Sequence, residues 1–68
     1  MMNSRMINDL VSDGERTGRY VYAKTAESVI TGSWQRIIKA RTRDGIQQVK
    51  VLSSGGWAGL VDNGITLK

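Results

Sequence analysis

The chain has 68 residues, ten Lys plus Arg against six Asp plus Glu, and neither Cys nor His. That length allows one small domain over residues 1–68, and the lack of Cys excludes a disulfide framework, a thiolate nucleophile and a cysteine zinc site. The lack of His removes the commonest acid–base group at neutral pH and the commonest metal ligand. We therefore expect no catalytic residues, no enzyme activity, no metal site and no cofactor.

Small size limits the stability that one core can supply, because such a domain buries only about 60% of the surface that its unfolded chain exposes. Small natural domains compensate with disulfides, a bound metal or association. Because the composition excludes disulfides and lacks the commonest metal ligands, association is the remaining way to gain stability. We therefore expect a homo-oligomer. No apolar run approaches the roughly 20 residues of a membrane span, and the N-terminus lacks the apolar stretch of a secretory signal. We expect a cytoplasmic protein with no membrane partner.

The formal charge of +4 is concentrated in the middle of the chain. Residues 19–50 carry seven basic side chains against two acidic ones, whereas residues 1–18 carry two against three. Residues 51–68 carry one of each. This distribution favours a basic patch over an evenly basic surface.

Residues 4–12 are predicted to form a short helix, and a turn completes this N-terminal segment over residues 1–14. Ser4 is the expected N-cap, because its hydroxyl can accept a hydrogen bond from an amide of the first turn. The helix is expected to end near Gly14, since glycine suits a helix C-terminus. The apolar residues recur at helical spacing and are expected to cover the core. They are Met6, Ile7, Leu10 and Val11.

The remainder, residues 18–68, is predicted to be a β domain. Residues 19–25 are rich in β-forming side chains and predict a strand. Its alternation puts three side chains on one side: Tyr20, Tyr22 and Lys24. The composition of residues 26–35 favours a further strand that buries Trp34. The apolar spacing also fits a helix over residues 26–41, an alternative that would remove the hairpin described next.

The strongest local signal is Asp44-Gly45, a favoured pair for a type I′ hairpin turn. A two-residue loop sets the register, which runs from the turn as Arg43 with Ile46, Thr42 with Gln47, Arg41 with Gln48, Ala40 with Val49, Lys39 with Lys50, and Ile38 with Val51. One face of this hairpin is apolar, as a half-buried sheet requires: Ile38, Ala40, Val49 and Val51. The other face is polar: Lys39, Arg41, Gln48 and Lys50.

A second hairpin is predicted at Asn63-Gly64, which separates residues 60–62 from residues 65–67. Between the two hairpins, residues 53–56 are predicted to form a loop. Together these elements predict a mostly β fold: a short N-terminal helix followed by four or five antiparallel strands in a meander or small open barrel. Its size is that of SH3-like and Sm-like barrels, an analogy of architecture that carries no function.

The basic middle of the chain suggests a nucleic-acid-binding protein, because each phosphate that a cation neutralises releases counterions. Lys39 facing Lys50 costs stability, since like charges repel, and an anionic partner would offset that cost. The alternative is that these charges only solvate the open face of the sheet. Neighbouring aromatic rings could stack on bases. The predicted contacts are Arg36, Lys39, Arg41, Arg43, Lys50 and Arg19 for phosphates, and Tyr20, Tyr22 and Trp57 for bases.

The second hypothesis is a protein-interaction module: a small inhibitor, an adaptor or a homo-oligomeric assembly subunit. It would use an exposed strand edge, the helical stripe or Trp57, and its basic face would meet an acidic protein partner. The glycine-rich residues 55–59 lack the Gly-Lys-Ser/Thr ending of a phosphate-binding loop, so we interpret them as a bend. The expected partners are therefore nucleic acid, either DNA or RNA, or an acidic protein.

Overall fold

The computed structural model describes residues 2–68, apart from the side chains of Asp62 and Asn63. The elements in chain order are helix α1 (Ser4–Thr17) and strands β1 (Val21–Thr25), β2 (Gln35–Arg43), β3 (Ile46–Val51) and β4 (Trp57–Leu67). The fold is mostly β with an N-terminal helix, which confirms the predicted fold class. No helix in the described part of the chain is long and apolar enough to cross a membrane.

The strands pair antiparallel in the order β1-β2-β3-β4, and β4 pairs back with β1. The ring consists of two short sheets that share β2 and β4, so it is an irregular barrel. Strand β1 meets β2 through only two residue pairs, Tyr22 with Arg36 and Ala23 with Gln35. That contact is the narrowest side of the ring.

The β2–β3 hairpin forms at the predicted turn. Asp44 and Gly45 both have positive φ, 53° and 75°, as a type I′ turn requires. The predicted register is confirmed from Arg43 with Ile46 to Lys39 with Lys50. The local turn chemistry therefore determines five consecutive residue pairs.

Strand β2 contains a bulge beyond the last of these pairs. Val51 pairs with Ile37, so the predicted pairing of Ile38 with Val51 is wrong. The physical reason is one extra residue in β2 between Ile37 and Lys39, which interrupts the alternation of the strand. As a result Ile37 is buried and Ile38 is half-buried.

The second predicted hairpin is wrong, because residues 57–67 form the single strand β4. Leu60 pairs with Thr25 and Ile65 pairs with Ala23. Strand β4 therefore advances by five residues over a length in which β1 advances by two. The excess length forms an irregularity beside Gly64, where an added Cβ would lie 2.7 Å from a backbone carbonyl oxygen. Glycine at this position allows a bend within one strand. In the sequence, such a glycine has the same pattern as the glycine of a hairpin turn.

Helix α1 is longer than predicted at its C-terminus. The side chain of Asn3, not that of Ser4, caps its N-terminus, and Gly18 at φ 78° ends it. Gly14 lies inside the helix and is buried. An added Cβ at Gly14 would overlap the carbonyl oxygen of Arg19, so close backbone approach explains this glycine and the predicted stop is wrong.

The core is aliphatic and lies between α1 and the inner face of the strands. The predicted helical stripe contributes Ile7 and Val11 as buried residues, whereas Met6 is exposed. Trp34 is 36% exposed, so its predicted place in the core is wrong. The buried cluster consists of Ile7, Val11, Val21, Ala23, Ile37, Ala40 and Val49.

Residues 26–34 form turns and irregular chain, so the favoured strand and the alternative helix are both wrong. Two buried hydroxyl residues organise the start of this loop. The amide of Thr25 donates to Ser28 Oγ at 2.8 Å, and the amide of Ser28 donates to the carbonyl of Thr25 at 3.0 Å. Such local bonds compete with a strand ladder and with helical bonds.

Strand β2 pairs with β1 over a short stretch only. Further along the strand, helix α1 covers the edge of β2. Asn8 Nδ2 donates to the carbonyl of Ala40 at 2.8 Å, and the amide of Ala40 donates to Asn8 Oδ1 at 2.9 Å. One side-chain amide thus satisfies both backbone groups of a strand residue, as a neighbouring strand would. Ser4 Oγ also bonds to Thr42 Oγ1 at 2.8 Å, which joins the helix to the hairpin tip.

Candidate nucleic-acid interface

Two arginines lie over aromatic rings on the outer side of the strands. The Cζ atom of Arg36 lies 3.6 Å from the centroid of the Tyr20 ring. The Cζ atom of Arg41 lies 4.0 Å from the centroid of the Trp57 ring. A cation attracts the negative face of an aromatic ring, and each such pair contributes about 0.5–1 kcal/mol at an exposed site.

Two lysines make similar contacts at longer distances. Lys24 Nζ lies 5.1 Å from the Trp34 ring centroid, and Lys68 Nζ lies 5.8 Å from that of Tyr22. The chain has two Trp, two Tyr and no Phe, so every large aromatic ring is paired with a cation outside the core. Sequence reasoning missed these two lysines and Trp34 as members of the surface. The signal for Lys24 was its place on the same side of β1 as Tyr22.

Strand pairing assembles the first group of predicted site residues, here called the tyrosine cluster: Tyr20, Tyr22 and Arg36. The burial of β1 alternates, with Val21 and Ala23 inside, so Tyr22 lies on the opposite, outer side. Tyr22 pairs directly with Arg36 on β2. Arg36 therefore lies over one tyrosine and beside the other.

The hairpin and β4 assemble the second group, here called the tryptophan cluster: Trp57, Arg41, Lys39, Lys50 and Gln48. Lys50 pairs with Lys39 on one side and with Trp57 on the other. Arg41 pairs with Gln48, and its Nε donates to Gln48 Oε1 at 2.9 Å. This bond holds the guanidinium beside the indole ring.

The bulge at Ile38 puts both clusters on the outer side of β2. Arg36 and Arg41 are five positions apart, and in a regular strand such residues point to opposite faces. The extra residue of the bulge reverses the alternation between them. Because the extra residue adds no step to the ladder, the two arginines are about four residue rises, ~13 Å, apart along the strand, with the exposed Lys39 between them. We call this continuous face the basic-aromatic surface.

The two remaining predicted site residues lie at its margins. Arg43 is exposed at the hairpin turn, where it pairs with Ile46. Arg19 is exposed in the connection between α1 and β1. Neither stacks on an aromatic ring among the described side chains.

Acidic side chains are concentrated on α1. Among the side chains that the structure describes, the ion pair is Arg16 with Asp13, both on the exposed face of that helix. Asp9 and Asp13 line a shallow groove there with apolar residues that include Met6. None of the described carboxylates pairs with a cation of the basic-aromatic surface. Helix α1 thus carries three carboxylates and two arginines, a net charge of −1, whereas the two clusters of the basic-aromatic surface contain cations and no carboxylate.

A third surface lies at the end of the barrel that carries the loops 26–34 and 52–56. Ile30 is 92% exposed, and Val29 and Leu52 are about half exposed. The amide of Leu52 donates to the carbonyl of Arg36 at 2.9 Å, which joins this end to β2. We call these three residues the apolar end.

Comparisons of the chain with protein-family models, curated proteins and solved structures find no match.

Proposed function

We propose that the protein is a small non-enzymatic nucleic-acid-binding protein that acts in the cytoplasm and contacts the phosphate backbone through its basic-aromatic surface. The observation that carries the proposal is the pairing of arginines with aromatic rings on one outer face. Cations that only solvate a sheet need no aromatic partners. A nucleic acid uses both groups, since cations bind its phosphates and rings stack on its bases.

Phosphate contacts are assigned to the cations along β2 and β3. Lys39 and Lys50 face each other directly, an arrangement that costs stability because like charges repel. A phosphate between the two ammonium groups would offset this repulsion. Further phosphates would meet the other predicted cations: Arg36, Arg41, Arg43 and Arg19.

The helix is not assigned a recognition role. A recognition helix enters the major groove with basic or polar side chains, whereas the exposed face of α1 carries Asp9 and Asp13. Contact is therefore assigned to the sheet, and it is expected to read the backbone more than the sequence.

The experiment that tests the proposal removes charge at the centre of the surface. Arg41→Gln with Lys50→Gln is compared with Arg5→Gln and Arg16→Gln, which remove the same charge from α1. Fluorescence anisotropy with a labelled oligonucleotide is measured from low to high salt. Each lost phosphate contact lowers the slope of log K against log salt by about 0.7 for a single strand and 0.9 for a duplex.

The surface variant is expected to bind more weakly and to lose about 1.4 to 1.8 from the slope. The helix variant is expected to keep the slope of the unmodified protein. Equal effects of the two variants would show that net charge, not this surface, carries binding. Unchanged binding in the surface variant would contradict the assignment.

The apolar end favours a second candidate function, a protein-interaction module such as an adaptor, inhibitor or assembly subunit. Ile30 is 92% exposed there, and clustered exposed apolar side chains mark interaction sites. Self-association through this end or an acidic protein partner on the basic side would fit this candidate. Protein purified without nucleic acid and lacking salt-dependent binding would favour it over the first.

A further inference from the structure

We propose that the basic-aromatic surface binds single-stranded rather than duplex nucleic acid. This inference rests on the proposed function and names the ligand class of the same surface. Three features of the structure carry it: the arginine–aromatic pairs, the spacing of the two clusters, and the covered edges of the hairpin.

The arginine pairs present planar groups suited to base faces. Arg36 lies over Tyr20 and Arg41 over Trp57, both near stacking distance. Unstacked bases pile onto aromatic rings and onto guanidinium planes. A base in the interior of a duplex has both faces covered by its neighbours, so a duplex leaves these groups without their natural partner.

The spacing of the clusters fits a strand laid along β2. The two arginines are about 13 Å apart along the strand, which a few nucleotides of a single strand can span. Lys39 is exposed between them and is available to a phosphate. The arrangement of stack, cation and stack agrees with single-strand binding sites, which combine a basic path with aromatic platforms over about 4–16 nucleotides.

The hairpin is not free to enter a groove of a duplex. A two-stranded ribbon can read the major groove, but both edges of this one are covered. Asn8 of α1 holds the β2 edge through both backbone groups of Ala40, and β4 pairs with β3.

The test compares single-stranded ligands with a duplex that has no exposed base faces. Anisotropy titrations use a 12-nucleotide DNA, the RNA of the same sequence, and a 12-base-pair DNA whose two strands are joined at each end by a non-nucleotide ethylene glycol linker. The closed ends matter because blunt ends would expose base faces. At least one single strand is expected to bind 10-fold or more tightly than the closed duplex, and the better of the DNA and RNA identifies the sugar.

Arg41→Lys tests the planar contact, because it keeps the charge and removes the guanidinium plane. In this variant the logarithm of the ratio of single-strand affinity to duplex affinity is expected to fall by at least half. The slope of log K against log salt is expected to stay unchanged. Arg5→Lys, on the exposed helix, is the matched control and is expected to keep the preference. Trp57→Leu is expected to reduce single-strand affinity 5-fold or more, with folding checked by circular dichroism.

Three outcomes would count against the inference, and they can be told apart. A closed duplex that binds as tightly as both single strands overturns the inference and leaves the proposed function standing. Absence of salt-dependent binding to all three ligands overturns both. Retention of the full single-strand preference in Arg41→Lys would also overturn the stacking basis of the inference.

Discussion

Arg36 and Arg41 point to the same outer side of β2 although five positions separate them. Ile38 is the extra residue of the bulge, and it shifts the in–out alternation of the strand by one position between the two arginines. Each guanidinium then meets an aromatic ring from a different neighbouring segment, Tyr20 before β1 and Trp57 on β4. One extra residue in a strand thereby places the two clusters on the same outer side of β2.

The contact between Asn8 and Ala40 predicts a large effect of a small substitution. Asn8→Ala leaves a backbone donor and a backbone acceptor of β2 without their partner, which costs about 1–3 kcal/mol for a buried group. Urea denaturation is the measurement. Ser12→Ala, on the exposed side of the same helix, is the control and is expected to stay within about 0.5 kcal/mol of the unmodified protein. An equally small effect of Asn8→Ala would contradict the role of this amide in closing the sheet.

The substitution Gly14→Ala is expected to change the unfolding free energy in the direction opposite to the one that helix propensity predicts. Propensity alone predicts that Gly14→Ala stabilises the helix by about 1 kcal/mol. Because the new methyl group would overlap the carbonyl oxygen of Arg19, we expect a net destabilisation of about 1–3 kcal/mol. Thermal and urea unfolding measure it. A stabilised variant would show that the helix and the following chain do not approach as described.

The geometry of the hairpin turn predicts that substitutions at its two central residues have different effects on stability. Gly45→Ala puts a side chain at a left-handed position, φ 75°, and is expected to cost about 1–2 kcal/mol of unfolding free energy. Asp44→Asn keeps a residue type that accepts this conformation, so its stability is expected to change little. Chemical denaturation of both variants checks this. Equal stability of the two variants would contradict the type I′ geometry.

Exposure of the apolar end predicts concentration-dependent association. We expect light scattering to detect oligomers at high micromolar concentration, and Ile30→Ser with Leu52→Ser to shift the distribution towards the monomer. Both side chains are at least half exposed, so the unfolding free energy of the double variant is expected to change by about 0.5 kcal/mol or less per site. An unmodified protein that remains monomeric at that concentration would contradict this prediction.

The β2–β3 hairpin was predictable because its turn is local. Asp44 and Gly45 determine a two-residue loop, and every pair back to Lys39 with Lys50 follows from that loop. The bulge was not predictable, because Ile37 and Ile38 are both apolar and either can fill the buried position. Its position depends on the closure of the ring, which is a property of the whole sheet.

The cation–aromatic pairs were only partly predictable. Alternation along the predicted strand puts Tyr20, Tyr22 and Lys24 on one side, and within β1 the structure agrees for Tyr22 and Lys24. The contact between Arg36 and Tyr20 depends on the register of β1 against β2, across a loop whose length sets no register. That loop also explains the error at Trp34: the hydroxyls of Thr25 and Ser28 organise turns there, and no strand carries the indole inward.

The central claim is that the outer face carrying Trp57 receives nucleic acid. Trp34→Tyr leaves Trp57 as the sole tryptophan of the chain, so its fluorescence reports on this surface alone. Titration with an unlabelled 12-nucleotide single strand is predicted to quench that fluorescence to saturation at low salt, and the quenching is predicted to weaken steeply as salt is raised. Fluorescence that stays constant while an independent anisotropy measurement shows binding would contradict the account, because the ligand would then lie elsewhere on the protein.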